Sequence, residues 1–239
     1  KPLSAPCEEV IDATGCYLLP GIIDDHVHFR DPGLTHKADI LTESRAAAAG
    51  GVTSIMDMPN TNPLTVTLDA LNAKLDLLNE KCIVNHSCYF GATNNNYTEF
   101  DKLDKHRVCG IKLFMGSSTG NMLVDKMNSL LNIFNGTDML IAAHCEDQET
   151  IKNNIEKYKQ KYKGADDIPV SAHPSIRSVP ACYASSELAV RLAKIAGARL
   201  HILHVSTAKE LQLFSDEPLA NKNITAEACV AHLLFTLTH

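Results

Sequence analysis

Short apolar runs rich in Val, Ile and Leu alternate along this chain with longer segments whose apolar residues recur every three or four positions. The first kind suits buried strands and the second amphipathic helices. The pattern predicts strands at about 21–28, 52–58, 82–90, 109–115, 138–145, 199–205 and 223–229. Helices are predicted near 38–50, 66–80, 121–135, 146–160, 179–197 and 207–214. Local chemistry agrees at two of them. The alanine run at 46–49 favours helix, and Gly50-Gly51 supplies a C-terminal stop. Pro180 falls near a helix start, where its missing N–H costs little.

Strand–helix alternation repeated this often implies a mainly parallel sheet with helical crossovers. A doubly wound sheet and a (β/α)8 barrel both fit that pattern. A doubly wound nucleotide fold opens with a glycine-rich phosphate loop, and this chain has neither Gly-x-Gly-x-x-Gly nor a Walker-type loop. The α/β TIM barrel is therefore expected, with all strand C-termini gathered at one mouth. The count stops at seven strands. Residues 1–20 read as the end of a small β-sandwich, residues 21–239 as an incomplete barrel, and residues 236–239 as helix, so the chain is expected to be a fragment of a longer enzyme.

The densest chemistry lies at the predicted strand ends. Residues 21–30 read Gly-Ile-Ile-Asp-Asp-His-Val-His-Phe-Arg. Side chains alternate along a strand, so His26 and His28 share a face, about 6.6 Å apart at two residues of rise. Two such imidazoles at a strand end can grip one metal ion. His144 closes the fifth strand in Ala-His-Cys-Glu-Asp, and His204 closes the sixth in His-Val-Ser-Thr. Lys112 lies inside the fourth, Gly110-Ile-Lys-Leu-Phe-Met115. A buried ammonium beside dications is electrostatically untenable. A neutral lysine amine can instead take up CO2 as a carbamate, an anion whose two oxygens can bridge two metals. All five side chains would then face one barrel mouth.

This set resembles the amidohydrolase superfamily, and within it the dihydroorotases. The resemblance rests on Asp25-His-Val-His-Phe-Arg-Asp-Pro-Gly33 and Gly50-Gly-Val-Thr-Ser-Ile-Met-Asp-Met-Pro-Asn-Thr61, and it runs through nearly the whole chain. It implies zinc-dependent, reversible hydrolysis of the cyclic amide of dihydroorotate to N-carbamoyl-aspartate, a step of pyrimidine synthesis. It also implies two zinc ions per chain, held by His26, His28, His144 and His204, with a CO2-derived carbamate on Lys112 between them. Arg30 and Asn60 would hold the substrate carboxylate. Arg30 follows His28 by two residues, on the same side if the strand continues, and its planar fork matches a carboxylate. The family's general-base aspartate would lie beyond His239, so no catalytic acid–base residue is expected within the chain. The sequence departs from some bacterial members, which carry Asp-Asp-Gly after strand four and lack the bridging lysine. Here 116–120 is Gly-Ser-Ser-Thr-Gly and Lys112 is kept, as in hydantoinases and allantoinases. Near the end, Glu227-Ala-Cys-Val-Ala-His232 keeps only the Glu and the second His of a Glu-Val-Thr-Pro-His-His pattern. Two rivals stay open: a hydantoinase, dihydropyrimidinase or allantoinase, and a non-catalytic scaffold of the same fold.

Charge and cysteines narrow the setting. A net charge of -6 over 239 residues, with no basic stripe, argues against nucleic-acid binding. The densest basic stretch, Lys157–Lys163, is interleaved with Tyr and Gln. No run approaches 18 apolar residues, so no membrane span is expected. The N-terminal stretch lacks an apolar signal core. The 8 cysteines form no Cys-x-x-Cys pair and read as free thiols of a reducing compartment, which makes the cytoplasm the expected location. The expected partners are a small-molecule substrate and further copies of the chain, as a homodimer or higher homo-oligomer.

Overall fold

The computed structural model describes residues 9–116, 120–163 and 166–235. Residues 9–20 are exposed and hold one turn and no strand. Residues 1–8, the Ser117–Thr119 part of the 116–120 loop, and the helix expected over 236–239 lie outside the described residues.

Seven parallel strands form one sheet in simple sequence order. They are β1 (Ile22–Val27), β2 (Val52–Asp57), β3 (Asn85–Gly91), β4 (Val108–Phe114), β5 (Ile141–His144), β6 (Leu200–Ile202) and β7 (Ile224–Ala226). The sheet curls far enough for side chains of β1 to meet those of β6 and of Glu227, just past β7. This is the strand order and curvature of a (β/α)8 barrel over seven strands. The main helices are α1 (Ile40–Ala49), α2 (Leu68–Lys81), α3 (Met127–Asn135) and α4 (Gln148–Lys161). They are followed by a single turn, α5 (His173–Ile176), then α6 (Val179–Ala196) and α7 (Val230–Leu234).

Helix boundaries follow local chemistry. Asp39, Thr67 and Asp147 cap α1, α2 and α4 by accepting the N–H of Thr42, Ala70 and Thr150. Pro180 opens α6, and Gly197 closes it in the left-handed conformation at φ 67°.

Strand alternation divides the core in two. Cys88, Phe90, Ile111, Leu113, Ile141 and Ala143 point outward into the large core beneath the helices. Tyr89 and Ala142 point inward and join Met58 and Leu203 inside the curl. Lys112 lies between Ile111 and Leu113 and pairs in register with Ala142, so it faces inward too.

Two helix expectations are corrected. The helix placed at 121–135 starts at Met127, because 122–124 is extended: Leu123 bridges to Phe114, and Val124 N–H donates to Phe114 O at 2.9 Å. The helix placed at 207–214 is a short 3-10 turn, Glu210–Leu213. There the buried Glu210 carboxylate accepts the N–H and hydroxyl of Thr207 and so closes the turn by itself. All seven described cysteines are unpaired, and Cys88, Cys145 and Cys182 are buried. Among the described residues, no helix is long and apolar enough to cross a membrane.

Candidate metal and substrate site

The five residues predicted as metal ligands converge at the C-terminal end of the sheet. The rings of His26 and His28 lie 5.3 Å apart, those of His26 and His204 5.4 Å, and those of His144 and His204 4.8 Å. Lys112 stands beside them at 1% exposure, its Nζ 4.3 Å from the Phe114 ring centre. Phe114 in turn packs on His144 at 5.9 Å.

The outer nitrogens of three imidazoles are pinned, which decides their tautomers. Nδ1 of His26 lies 2.5 Å from Oε1 of Glu227. A carboxylate only accepts, so Nδ1 carries the hydrogen and the Nε2 lone pair stays available. Nδ1 of His28 donates to Oδ1 of Asn60 at 2.8 Å, with the same result. His144 is held the other way round. Its Nε2 donates to Oε2 of Glu146 at 2.8 Å, which leaves Nδ1 for a ligand. Arg177 pairs with that same glutamate. Outer-nitrogen partners of this kind orient the imidazoles of metal sites.

The Nδ1 of His144 and the Nε2 of His204 are 2.9 Å apart. With no ion between them, His204 donates to His144. An ion bound to both at about 2.0–2.1 Å with tetrahedral angles needs the nitrogens only about 3.3 Å apart. The donor set fits divalent zinc: neutral imidazoles held in fixed tautomers, with one amine able to become an anion.

The electrostatics point the same way. Burial, reinforced by the neighbouring His26, Arg30 and Lys112 charges, pushes His28 down to about 3. Burial also pushes His204 down to about 3 and lowers His144. These rings are therefore neutral at pH 7, the form that ligates. Burial pushes Lys112 down to about 7, and no carboxylate pairs with it among the described residues. Glu227 is half-buried, which opposes ionisation, yet its bonds with His201, His26 and the His204 N–H hold it below the usual carboxylate range. Glu146 is likewise lowered against its burial by His144 and Arg177.

The substrate pair predicted from sequence adjoins His28. β1 ends at Val27, and Arg30 takes a left-handed backbone at φ 65°, so it does not continue the strand face of His28. It sits in a turn, closed by Leu34 N–H donating to Arg30 O at 2.9 Å. Asn60 lies past β2 and already spends its Oδ1 on His28. The peptides on both sides are fixed by one buried group. Oδ1 of Asp57 accepts the N–H of Phe29 and of Met58, each at 3.0 Å.

Two carboxylates of the site, Glu146 and Glu227, were not among the predicted residues. Each carried a signal: an acid two residues after His144, and an acid within the predicted seventh strand, 223–229. Asp25, His201 and Glu227 also bring donor atoms within 4.8 Å of one another, and Asp25 is raised by burial and by Glu227. Beside His144 and His204 opens a cavity of about 230 Å³, walled by Glu146, His173, Arg177 and His232.

Residues 15–210 match the family model described as dihydro-orotase-like. The chain belongs to that family. Among curated relatives it is 32% identical over 229 residues to a dihydroorotase of Listeria innocua, covering 95% of this chain and 52% of that protein. It is 29% identical over 243 residues to an allantoinase of Deinococcus radiodurans, covering 98% of this chain and 52% of that protein. Among solved structures it resembles the L-hydantoinase (dihydropyrimidinase) of Arthrobacter aurescens, with TM-score 0.86 and 27% identity over 95% of this chain and 51% of that one. The chain thus spans about half the length of these dihydro-orotase-like and cyclic-amidohydrolase relatives.

Proposed function

We propose that this chain forms the metal-binding half of a dihydroorotase, acting on the cyclic amide of dihydroorotate. One observation supports this above the others. Four imidazoles, three of them lowered by burial, and a buried lysine amine with no carboxylate partner among the described residues converge at one end of the sheet, and both carboxylate-recognising candidates lie next to one of those imidazoles. His26, His28, His144 and His204 would hold two zinc ions. Lys112 would bridge them as a carbamate, formed when its neutral amine adds to CO2 and loses a proton. Bound there, such ions supply Lewis-acid activation of water and of the ring carbonyl. The chain's own contribution is orientation. Arg30 and the amide group of Asn60 would grip the ring carboxylate, and the Asp57 hydrogen bonds keep both turns in place for it.

A second reading has specific support: the retained Lys112, the allantoinase relative and the hydantoinase-like structure. Those rings lack a carboxylate at the position Arg30 would hold. The protein should therefore be assayed on dihydroorotate, dihydrouracil and hydantoin. The dihydroorotase reading expects the highest kcat/KM on dihydroorotate. It also expects Arg30→Ala to lower that value at least about tenfold, the loss of one charge-assisted hydrogen bond, with bound metal unchanged. A higher kcat/KM on hydantoin or dihydrouracil in the unaltered protein moves the assignment to the second reading.

A further inference from the structure

We propose that Glu227 is a positioning residue: one carboxylate sets the tautomer of His26 and holds the backbone turn of His204, so both halves of the site depend on it. β1 and β7 are the two ends of the hydrogen-bonded strand order and share no ladder. Glu227, just past β7, nevertheless reaches His26, 201 residues away in sequence. Its Oε1 takes the Nδ1–H of His26 at 2.5 Å and the backbone N–H of His204 at 2.9 Å.

The second of these bonds explains an outlier. His204 stands at φ 39°, a region that side-chain-bearing residues avoid, one residue beyond Leu203 and just past the end of β6. The turn aims the ring back towards His144, and Glu227 receives the amide that the turn leaves without a ladder partner. The other carboxylate oxygen is held as well. His201 Nε2 lies 3.3 Å from Oε2, while His201 Nδ1 lies 2.8 Å from the Thr225 hydroxyl. Glu227 cannot swing towards Asp25 without losing its bonds to His26 and His204. The Asp25–His201–Glu227 cluster therefore reads as the support of this carboxylate.

The first test needs no metal. In the metal-free chain, long-range 1H–15N NMR should show His26 protonated at Nδ1. In Glu227→Ala, His26 should lose that preference and populate the Nε2–H tautomer. In Glu227→Gln, which keeps an acceptor oxygen and the side-chain shape, the preference should weaken without a change in fold. A folded Glu227→Gln or Glu227→Ala chain with His26 still wholly Nδ1–H overturns the proposal. Should Glu227→Ala fail to fold, Glu227→Gln decides it. The second test rests on the metal reading above. Cobalt(II) titration followed by visible absorption should show affinity weakened roughly 10–100-fold in either variant, the range for loss of an outer partner of a metal-bound imidazole. Wild-type affinity in a folded variant counts against the proposal. If the unsubstituted chain binds no cobalt, the metal reading falls, and the tautomer measurement still decides the role of Glu227.

Discussion

Among the described residues two lysines are buried, and for opposite reasons. Lys74, on α2, is 1% exposed, and its Nζ lies 2.8 Å from Oδ2 of Asp57 while donating to Met58 O at 2.6 Å. Lys112, on β4, is equally buried but meets an aromatic face and three neutral imidazoles of the site. The first ammonium is matched by a carboxylate and a carbonyl, and it ties α2 to the turns after β1 and β2. The second pairs with no carboxylate among the described residues, and burial pushes it down to about 7 against the pull of the more distant Glu227. Burial alone therefore does not mark a functional lysine. The absence of a compensating charge does, because an uncompensated buried charge is a cost that structure alone does not explain.

Measurements on both lysines sharpen or break that contrast. The largest effect is expected at Lys74. Lys74→Met strands the Asp57 carboxylate in the core and should cost about 3–5 kcal/mol in urea unfolding. A loss under about 1 kcal/mol would mean that the pair is not structural. Removing both charges, as Asp57→Asn with Lys74→Met, should cost less than the two single changes summed, by about 0.5–3 kcal/mol of coupling.

For Lys112 the expected loss is of metal, not of fold. Lys112→Ala should abolish turnover and weaken binding of the second ion at least about tenfold, or 1.4 kcal/mol, read by elemental analysis after dialysis. A short carboxylic acid added to that variant should restore part of the activity by standing in for the bridge, whereas Lys112→Arg should not, since guanidinium stays cationic. Wild-type metal content and rate in Lys112→Ala would remove the bridging role.

The smallest effect is on stability without metal. Lys112→Met replaces the amine by an apolar chain of similar volume and should shift unfolding by less than about 1.5 kcal/mol at neutral pH. The pH dependence carries a sign. The folded value of Lys112, about 7, lies below its ordinary 10.5, so between them the unfolded chain binds more protons. Stability of the metal-free chain should rise with pH across that window and level off below about 7, where both states are protonated. The rise should be smaller in Lys112→Met. Equal slopes in both chains would mean that Lys112 keeps its charge when buried.

Much of this was legible along the chain, because it depends on near neighbours. Seven strands follow from seven apolar runs, and the stop at Gly50 and the start at Pro180 are set within a few residues. His26, Lys112 and His144 were visible because each sits at a strand position whose face alternation dictates, and His28 and His204 because each follows a strand end by one or two residues. What only the tertiary structure decided involves partners far apart in sequence. Glu227 reaches His26 across 201 residues, Asn60 turns to His28 across 32, and Arg177 reaches Glu146 across 31. The left-handed turns at Arg30 and His204 belong to the same class, since no glycine marks them in the sequence. Local pattern specifies which residues reach the mouth of the sheet. The long-range hydrogen bonds specify which nitrogen of His26 and of His28 faces inward, because a tautomer is set by the partner on the ring's other side.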